Sequence, residues 1–395
     1  MEVKYDFDQV IDRANTACEK WDDLQNRFGV NDVIPMWVAD MDFKSPPSVI
    51  QALTQRVEHG IYGYACRPDS YIDALVQWVK RRHQWSIEGE WMAHTPGILP
   101  AISVIINSFT QPGDKIMIQT PVYHPFARII TSLGRQVVNN SLKFENGRYT
   151  MDFADLEAKL DGGVKILVLC NPHNPVGRVW SREELTMLGQ ICIKNKILVI
   201  SDEIHCDLVY KGYKHTPFAA VSEAFAEQSF TCIAPSKTFN LAGLQTSCII
   251  IPNEALRERF NQSINSLAIG SPNALGITAT EIAYRSGDEW LEQAIDYIQG
   301  NLAFLVRYFQ ENIPQIKVIQ PESTYLVWLD CRELGLAADE LATFMLTKAR
   351  VAMNEGHIFG TDGEGFMRMN IGCPRSLLEK SVHQIKEAVT FLCRA

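Results

Sequence analysis

Five short apolar runs, separated by longer stretches of helical pattern, constrain the fold of this chain more than any other feature. Several runs are continuously apolar rather than alternating, which is typical of parallel strands buried on both faces. The helical stretches at 153–160 and 181–195 fit crossovers between such strands. The sequence therefore predicts an α/β fold with strands at Lys115–Gln119, Lys165–Cys170, Ile197–Ser201, Thr231–Ala234 and Ser247–Ile251.

Composition bounds the class of protein and its partners. The length of 395 residues exceeds the usual size of one compact core, so we expect two domains. Apolar residues make up 46% and charged residues 21%, which is ordinary for a soluble globular protein. The net charge of −9, without any basic run, argues against nucleic-acid binding.

The cysteines and the N-terminal residues indicate a cytoplasmic setting. The ten cysteines are scattered without CxxC pairs or His/Cys ligand spacing, so we expect neither a metal site nor a disulfide framework. The first residues are polar and lack the apolar segment of a signal peptide, and no run of about 18 apolar residues occurs. We therefore expect a cytoplasmic protein that does not enter membranes.

Chemically useful side chains follow the ends of four of the predicted strands. Ligands of open α/β sheets bind outside the carboxyl ends of the strands, so these side chains should meet at one edge. They comprise an aromatic ring, an amide, a carboxylate, an imidazole, a hydroxyl and an amine, at Tyr123, Asn174, Asp202, His205, Ser236 and Lys237.

Lys237, which we expect in a tight loop at the end of a strand, suggests covalent chemistry with an aromatic aldehyde cofactor. A desolvated lysine loses its charge readily and becomes an amine that can form a Schiff base. Asp202 could face a protonated ring nitrogen, Asn174 could donate to a phenolate oxygen, and Tyr123 could stack on the ring. Each also has an ordinary structural explanation, as a helix cap, a turn residue or core. Jointly, those explanations require four coincidences at consecutive strand ends.

A phosphate group on such a cofactor would need N–H donors and hydroxyls. Gly97 permits close approach of the backbone, and the helix that follows it offers free N–H groups, beginning with Ile98. The hydroxyls of Ser236 and Thr238 are further candidates. Without the other residues, a simple turn before a helix would be the preferred explanation of Gly97.

The order of these motifs resembles the fold type I pyridoxal 5'-phosphate (PLP) enzymes, the aspartate aminotransferase superfamily. The motifs that carry this resemblance are Tyr123, Asn171–Gly177, Asp202–His205 and Ser236–Thr238. Further stretches resemble the MalY/PatB group of cystathionine β-lyases within it, and the similarity covers nearly the whole chain. These stretches are Trp37–Phe43, Tyr62–Tyr64, Cys170–Trp180 and Asp202–His205.

The resemblance implies an architecture and a homodimer. A large PLP-binding domain with a mostly parallel sheet would span residues 50–285, and a smaller α+β domain would combine residues 1–49 and 286–395. Each active site would be completed by the partner subunit. Tyr62 would then reach the phosphate of the neighbouring subunit's cofactor, with Tyr64 near it, and Trp37 and its neighbours would line the substrate entry.

Arg368 is the candidate for binding the substrate carboxylate. A planar guanidinium can hold a carboxylate through two hydrogen bonds, although arginine in a strand-like run is usually a surface residue. The family's carboxylate-binding arginine lies in a matching Arg-x-Asn context, which resembles Arg368–Asn370 here.

Two positions depart from the pattern of ordinary aminotransferases. Many of these enzymes carry a phosphate-binding arginine eight residues after the lysine, where this chain has Gln245. His205 stands where they commonly place a tyrosine, so its role is open between structure and site. Both departures favour the lyase group.

The predicted function is a PLP-dependent β-lyase that cleaves L-cystathionine, L-cysteine or a related thioether. The products would be pyruvate, ammonia and a thiol such as homocysteine. An aminotransferase with the same lysine is the first alternative. A regulatory role, in which the fold binds another protein, is the alternative from a different class.

Overall fold

The computed structural model describes residues 4–160 and 162–392, in which strands and helices alternate along most of the chain. The strands are β1 Ile34–Pro35, β2 Met92–Thr95, β3 Lys115–Ile118, β4 Gln136–Asn139, β5 Lys143–Glu145, β6 Arg148–Thr150, β7 Val164–Cys170, β8 Leu198–Asp202, β9 Ser229–Ile233, β10 Ser247–Ile250, β11 Lys317–Ile319, β12 Leu326–Asp330, β13 Val351–Ala352, β14 Asn354–Glu355 and β15 Phe366–Asn370. The helices are α1 Glu19–Asp22, α2 Leu24–Phe28, α3 Pro47–Glu58, α4 Asp69–His83, α5 Ile98–Phe109, α6 Pro125–Ser132, α7 Phe153–Leu160, α8 Arg182–Lys194, α9 Glu223–Ala226, α10 Pro235–Thr238, α11 Glu254–Ser266, α12 Ala274–Ser286, α13 Asp288–Asn312, α14 Ala338–Thr347 and α15 Arg375–Leu392.

A seven-stranded sheet forms the centre of the molecule, in the order β2-β10-β9-β8-β7-β3-β4. Its neighbours from β9 to β4 pair in parallel, whereas β10 runs antiparallel to both β9 and β2. The five predicted strands correspond to β3, β7, β8, β9 and β10. The predicted α/β fold with a mostly parallel sheet is therefore confirmed.

Adjacent strands bring their carboxyl ends to the same edge of this sheet. Cys170 at the end of β7 pairs with Asp202 at the end of β8, and Asp202 pairs in turn with Cys232 in β9. The helix α8 crosses between β7 and β8, and Ser181 caps it by accepting from the Glu184 N–H. This register places the segments that follow β7, β8 and β9 side by side.

Several elements were missed by the sequence patterns. The edge strand β4 is polar and partly exposed, and β2 contains a histidine and a threonine. Helix α12 is buried through small residues, whose weak hydrophobicity gives little periodic signal. One of them, Gly276, lies so close to the strand wall that an added Cβ would come within 2.1 Å of the Thr246 hydroxyl.

A second sheet combines residues from the C-terminal part of the chain. Its strand order is β11-β12-β15-β14, with antiparallel pairing throughout. The N-terminal strand β1 pairs in parallel with β13, so Ile34 lies opposite Val351. This pairing agrees with a smaller unit drawn from both termini. The boundaries 1–49, 50–285 and 286–395 stay a prediction, because one buried apolar cluster runs from Phe7 to Val389.

Two global features bear on the expectations from composition. Within residues 4–160 and 162–392, no helix has the length and apolar character needed to cross a membrane. The nine cysteines in that part of the chain are free thiols, and most of them are buried. The cytoplasmic location stays a prediction.

Candidate active site

A cavity of about 230 Å³ lies at the carboxyl edge of the central sheet. It is where the topology brings together the segments that follow β7, β8 and β9. Most of the residues predicted from the strand ends line it, together with the start of helix α5. These lining residues are Gly97, Ile98, Tyr123, Asn174, Asp202, His205, Ser236 and Lys237.

Lys237 lies in a single helical turn rather than in the predicted loop. Helix α10 begins at Pro235, directly after β9, so the turn carries the side chain into the cavity. The Lys237 Nζ donates to the main-chain oxygen of Ala39 at 2.7 Å. Burial lowers the pKa of this lysine to about 8, although the charge of Asp40 opposes the shift. At pH 7 about one amine in ten is therefore uncharged, far more than for an ordinary lysine with a pKa near 10.4.

The hydroxyl of Thr238 does not reach the cavity, so its predicted contact with a phosphate is wrong. It donates instead to the buried Asp207 at 2.9 Å. Asp207 also accepts from the Trp78 indole and contacts the His83 imidazole at 2.9 Å. Because Thr238 follows Lys237 directly, this buried carboxylate anchors the helical turn from behind.

Asp202 is a buried carboxyl group that lacks a cationic neighbour in contact. It ends β8, and its Oδ1 accepts from the Ile204 N–H at 3.1 Å. Among the described residues it forms no ion pair, and burial raises its pKa to about 7. A cation placed against this carboxyl from the cavity would stabilise its ionised form.

Arg368 is a buried guanidinium held only by neutral acceptors. From β15 it donates to the Asn174 Oδ1 at 3.0 Å, the Trp37 oxygen at 3.0 Å and the Asn354 Oδ1 at 2.5 Å. Its Nε has no partner, and the described residues supply no carboxylate to it. Burial lowers the pKa of Arg368 to about 10, so the group is still charged near neutral pH. An anionic ligand is the partner this arrangement lacks.

Trp37 contributes its main-chain oxygen, and its indole does not line the cavity. The ring is buried against Phe28, and its Nε1 donates to the Lys20 oxygen at 3.1 Å. The indole instead fills an apolar cluster with Leu24. Its carbonyl reaches the site through Arg368, and a part in substrate binding stays a prediction.

The opposite end of the cavity offers neutral hydrogen-bond donors. Gly97 caps helix α5 without any side-chain cap, which leaves the N–H groups at Ile98 and Leu99 unpaired by the helix. Ser236 and Gln245 line the same end. A helix N-terminus beside a hydroxyl and an amide is suited to an anion such as a phosphate.

His205 and Tyr123 line the wall between these ends. The His205 imidazole packs against Tyr325 with ring centroids 6.2 Å apart, and its Nδ1 is buried without a partner. Burial lowers the pKa of His205 to about 3, so the ring is neutral. Tyr123 is held edge-on by Phe126 and contributes an aromatic face to the cavity.

Tyr62 and Tyr64 lie outside this cavity. They belong to an exposed segment between α3 and α4, where Tyr62 donates its hydroxyl to the Val57 oxygen at 2.8 Å. Tyr64 is fully exposed. Neither side chain serves the site of its own chain, and their reach to a partner's cofactor stays a prediction.

Residues 37–42, which the sequence placed at the substrate entry as Trp37 and its neighbours, face both cationic groups through main-chain oxygens. Sequence reasoning did not foresee this role of the backbone. The Ala39 oxygen accepts from Lys237 and also from the Tyr325 hydroxyl at 3.0 Å. Asn370 donates to the oxygens of Val38 and Asp40 at 2.6 Å each. Main-chain carbonyl groups carry no signature of residue type, so only the fold reveals them.

Two asparagines close in sequence to the cationic groups fasten this segment. Asn370 lies two residues after Arg368 on β15. Asn240 lies three residues after Lys237, and it donates to the Met41 oxygen at 2.8 Å and accepts from the Met41 N–H. The spacing Arg-x-Asn could have pointed to Asn370 as a site residue, since the motif itself was recognised.

Comparison with known proteins gives the family. A sequence model described as aminotransferase class I and II matches residues 31–385. The chain belongs to this family. Cystathionine beta-lyase PatB of Bacillus subtilis is 44% identical to it over 97% of this chain and 100% of that protein. Protein MalY of Escherichia coli is 33% identical over 98% of this chain and 99% of its own length. The predicted relationship to the MalY/PatB group is confirmed.

A solved structure agrees with the fold. The PLP-bound C–S lyase from Staphylococcus hominis superposes with a TM-score of 0.92 at 34% identity. The match covers 98% of this chain and 98% of that one. The fold predicted from the motifs, fold type I of the PLP enzymes, is therefore confirmed.

Proposed function

We propose that this protein is a PLP-dependent carbon–sulfur β-lyase acting on L-cystathionine or a related L-cysteine thioether. The observation that carries the reaction type is the 44% identity, over the full length, to a cystathionine β-lyase. The geometry supports the rest, because the cavity is lined by a lysine with a lowered pKa and by an acid without an ion pair among the described residues. Asn174 in its wall accepts from Arg368, an arginine without a carboxylate partner in the described residues. Those three groups match an aromatic aldehyde cofactor and an amino-acid substrate.

The residues of the cavity fit PLP. When bound, PLP supplies an aldehyde that links to an amine and a ring that withdraws electrons from the substrate Cα. Lys237 is the amine within the cavity, and Asp202 is the buried acid that would gain from a cationic ring nitrogen. Tyr123 offers a stacking face. The N-terminus of α5 and Ser236 would hold the phosphate.

Asn174 joins the two halves of the proposed site. Its side-chain oxygen accepts from Arg368, so its amide N–H groups are the part left to donate. We assign them to the cofactor's phenolate oxygen. One side chain would then orient both the cofactor and the arginine that binds the substrate.

Arg368 would hold the α-carboxylate of the substrate. Its Nε has no partner, and the described residues around it supply only neutral acceptors. A bidentate carboxylate would satisfy that N–H and neutralise the buried charge. This contact fixes the amino acid at one end and leaves its Cα and Cβ to face Lys237.

Lys237 would move the proton in the reaction. Its lowered pKa makes the uncharged amine readily accessible, and this form can accept the proton from the substrate Cα. The electron pair of the lost C–H bond forms a double bond between Cα and Cβ, while the sulfur leaves with the electrons of the Cβ–S bond and takes up a proton to become a thiol. Addition of one water releases the nitrogen as ammonia and the three-carbon remainder as pyruvate. For L-cystathionine and water, the products are homocysteine, pyruvate and ammonia.

A homodimer is part of this proposal. Tyr62, with 58% of its surface exposed, and Tyr64 lie in a segment that serves no site of its own chain. We assign them to the neighbouring subunit's cofactor phosphate. The regulatory protein partner has no supporting observation and stays a prediction.

An aminotransferase is the competing function, since the matched family is named for that reaction. Both reactions begin with removal of the Cα proton, so Lys237 and Asp202 do not separate them. Two substrates do: L-cystathionine carries a leaving group on Cβ, and L-2-aminobutyrate carries none. We expect pyruvate from the first and no keto acid from the second when no keto acid is added. Keto acid formed from L-2-aminobutyrate only in the presence of an added keto acid would support the aminotransferase instead.

A further inference from the structure

A second cavity, of about 190 Å³, adjoins the end of the first cavity to which we assign the phosphate. The two share Pro96, Gln245 and Thr246 in their walls. The second cavity is otherwise lined by polar residues of β2, β10 and the segment before α12. These are Arg67, His94, Thr95, Ser247, Ser271 and Asn273, with Pro272.

Most polar groups of this second cavity are already paired with one another. The Thr95 hydroxyl contacts the Ser247 hydroxyl at 2.7 Å, and Ser247 also donates to the Thr95 oxygen. Asn273 donates to the Leu244 oxygen at 3.0 Å, and its side-chain oxygen caps α12. Because these groups are hydrogen-bonded within the protein, they leave few donors or acceptors for a ligand.

Arg67 and His94 are the exceptions. Arg67 is half-buried and donates to the Gly270 oxygen at 2.9 Å, while its Nε is buried without a partner. The Nε2 of His94 is also buried without a partner. Burial, reinforced by the charge of Arg67, lowers the pKa of His94 to about 3, so this ring is neutral.

Arg67 is therefore the one charged residue that lines this cavity. No aspartate or glutamate lines it, and Arg67 has no ion pair among the described residues. Burial lowers the pKa of Arg67, in keeping with the lack of a carboxylate in this lining. An anion is the missing neighbour.

The end of the first cavity that we assign to the phosphate lacks a positively charged side chain. Its wall consists of Gly97, Ile98, Ser236, Gln245 and Thr246, which carry no charge. A phosphate monoester carries about −1.5 to −2 charges at pH 7, which exceeds the roughly half charge of a helix N-terminus. The two cationic groups of the active site are assigned to the aldehyde and to the substrate carboxylate.

We propose that Arg67 supplies the positive charge for the cofactor phosphate from behind the wall formed by Gln245 and Thr246. This inference rests on the proposed function, because it needs PLP in the first cavity. Arg67 lies in the segment that precedes α4, far in sequence from Lys237. Arg67 would be a positioning residue for the cofactor, without contact with the reacting atoms.

The test compares PLP with pyridoxal, which has the same ring and aldehyde but no phosphate. The full-length enzyme is stripped of cofactor, and the dissociation constant of each compound is measured by equilibrium dialysis. Arg67→Gln should weaken PLP binding by roughly ten- to a hundred-fold, the value of a charge pair several ångströms apart in a partly buried site, and leave pyridoxal binding unchanged. Arg67→Lys keeps the charge and should retain most of the PLP affinity.

The matched control is Arg257→Gln. Arg257 is also half-buried and donates to main-chain oxygens, those of Ile251 and Pro252, but it lines neither cavity. It should alter neither dissociation constant. Thermal unfolding of each variant shows whether the fold is retained.

The outcomes separate this inference from the proposed function. Equal losses for PLP and pyridoxal in Arg67→Gln would assign Arg67 to the fold, and an unchanged PLP affinity would remove it from phosphate binding. Either result overturns the inference about Arg67. The proposed function is unaffected in both cases, provided that the wild-type enzyme binds PLP. A wild-type enzyme that binds neither compound would overturn both.

Discussion

At the scale of single residues, the cavity is defined by groups whose ionisation is displaced by burial. Lys237 has a lowered pKa, Asp202 has a raised one, and Arg368 has no carboxylate partner in the described part of the chain. Each is unfavourable alone, since burial disfavours a charge without a partner. Together these three groups are complementary to a ligand that carries an aldehyde, a cationic ring and a carboxylate.

The first prediction concerns covalent capture of the cofactor by Lys237. Borohydride reduction of the PLP-loaded enzyme followed by peptide mapping should place the label on Lys237. Because the uncharged amine reacts, the rate of PLP uptake by stripped enzyme should rise from pH 7 and level off above the pKa of about 8. An ordinary lysine, with a pKa near 10.4, would still be gaining reactivity there. A label on another lysine would contradict the assignment.

The second prediction concerns Asp202→Asn, which cannot ionise. Turnover of L-cystathionine should fall by roughly 100-fold or more, because the ring nitrogen loses its countercharge. The stability of the cofactor-free protein should rise in this variant although its turnover falls. A folded-state pKa raised to about 7, against about 3.9 unfolded, makes the cofactor-free wild type lose stability as pH rises between those values.

Asp202→Asn removes that loss. The unfolding midpoint of the cofactor-free variant, measured relative to that of the cofactor-free wild type, should therefore increase from pH 5 to pH 8. Calorimetry at several pH values measures the difference. A difference that stays constant with pH would show that the carboxyl does not titrate in this range. Near-normal turnover would show that Asp202 is structural.

The third prediction concerns Arg368→Ala. Loss of one partner of a buried carboxylate pair costs roughly 3–5 kcal/mol, so kcat/KM for L-cystathionine should fall accordingly. PLP content should stay near wild type, since the arginine contacts Asn174 and two other neutral acceptors. Inhibition by L-alanine should weaken while inhibition by ethylamine, which lacks the carboxylate, stays the same. Equal effects on both inhibitors would place the carboxylate site elsewhere.

At the scale of elements, the segment 37–42 shows how the N-terminal region completes the cavity. Lys20 is fully buried, and its amine lies 2.6 Å from the carboxylate of Asp42. Arg13 contacts Asp40 and Asp42, each at 2.6 Å. These ion pairs hold the segment whose carbonyl groups face Lys237 and Arg368.

The fourth prediction is that Lys20→Ala destabilises the fold by roughly 3–5 kcal/mol, because a buried carboxylate loses its partner. Burial alone would raise the pKa of Asp42, but Lys20 and Arg13 hold it below its usual range. The stabilisation is therefore present at neutral pH and is lost as pH falls through the lowered pKa. Urea unfolding at pH 7 measures the effect.

The control for that prediction is Lys44→Ala, since Lys44 is exposed. It should change the free energy of unfolding by no more than about 0.5 kcal/mol. If the two variants lose the same amount, the buried ion pairs do not hold the segment.

Sequence patterns predicted the central elements well and the small ones poorly. The strands β3, β7, β8, β9 and β10 are buried on both faces, so their apolar runs were unambiguous. The single turn of α10 is too short to show a period, which is why Lys237 was expected in a loop. Side-chain direction was also beyond the sequence, since Thr238 and Trp37 have polar atoms that could point either way.

At the scale of the whole molecule, two sheets and the segment 37–42 meet around one cavity. Lys237 and Asp202 come from the edge of the central sheet, and Arg368 comes from the second sheet. The family resemblance predicted that these parts would meet, and the structure shows how they contact one another through Asn174. Spacing along the chain could not have given this, since Asn174 and Arg368 are 194 residues apart.

The central claim is that the site eliminates sulfur from Cβ, and a product balance tests it most directly. The PLP-loaded enzyme is incubated with L-cystathionine without any keto acid, and pyruvate, ammonia and homocysteine are quantified, with Lys237→Ala as the inactive control. The proposed function predicts one equivalent of each product for every substrate consumed. Turnover that requires an added keto acid, and that yields the corresponding amino acid instead of ammonia, would contradict it.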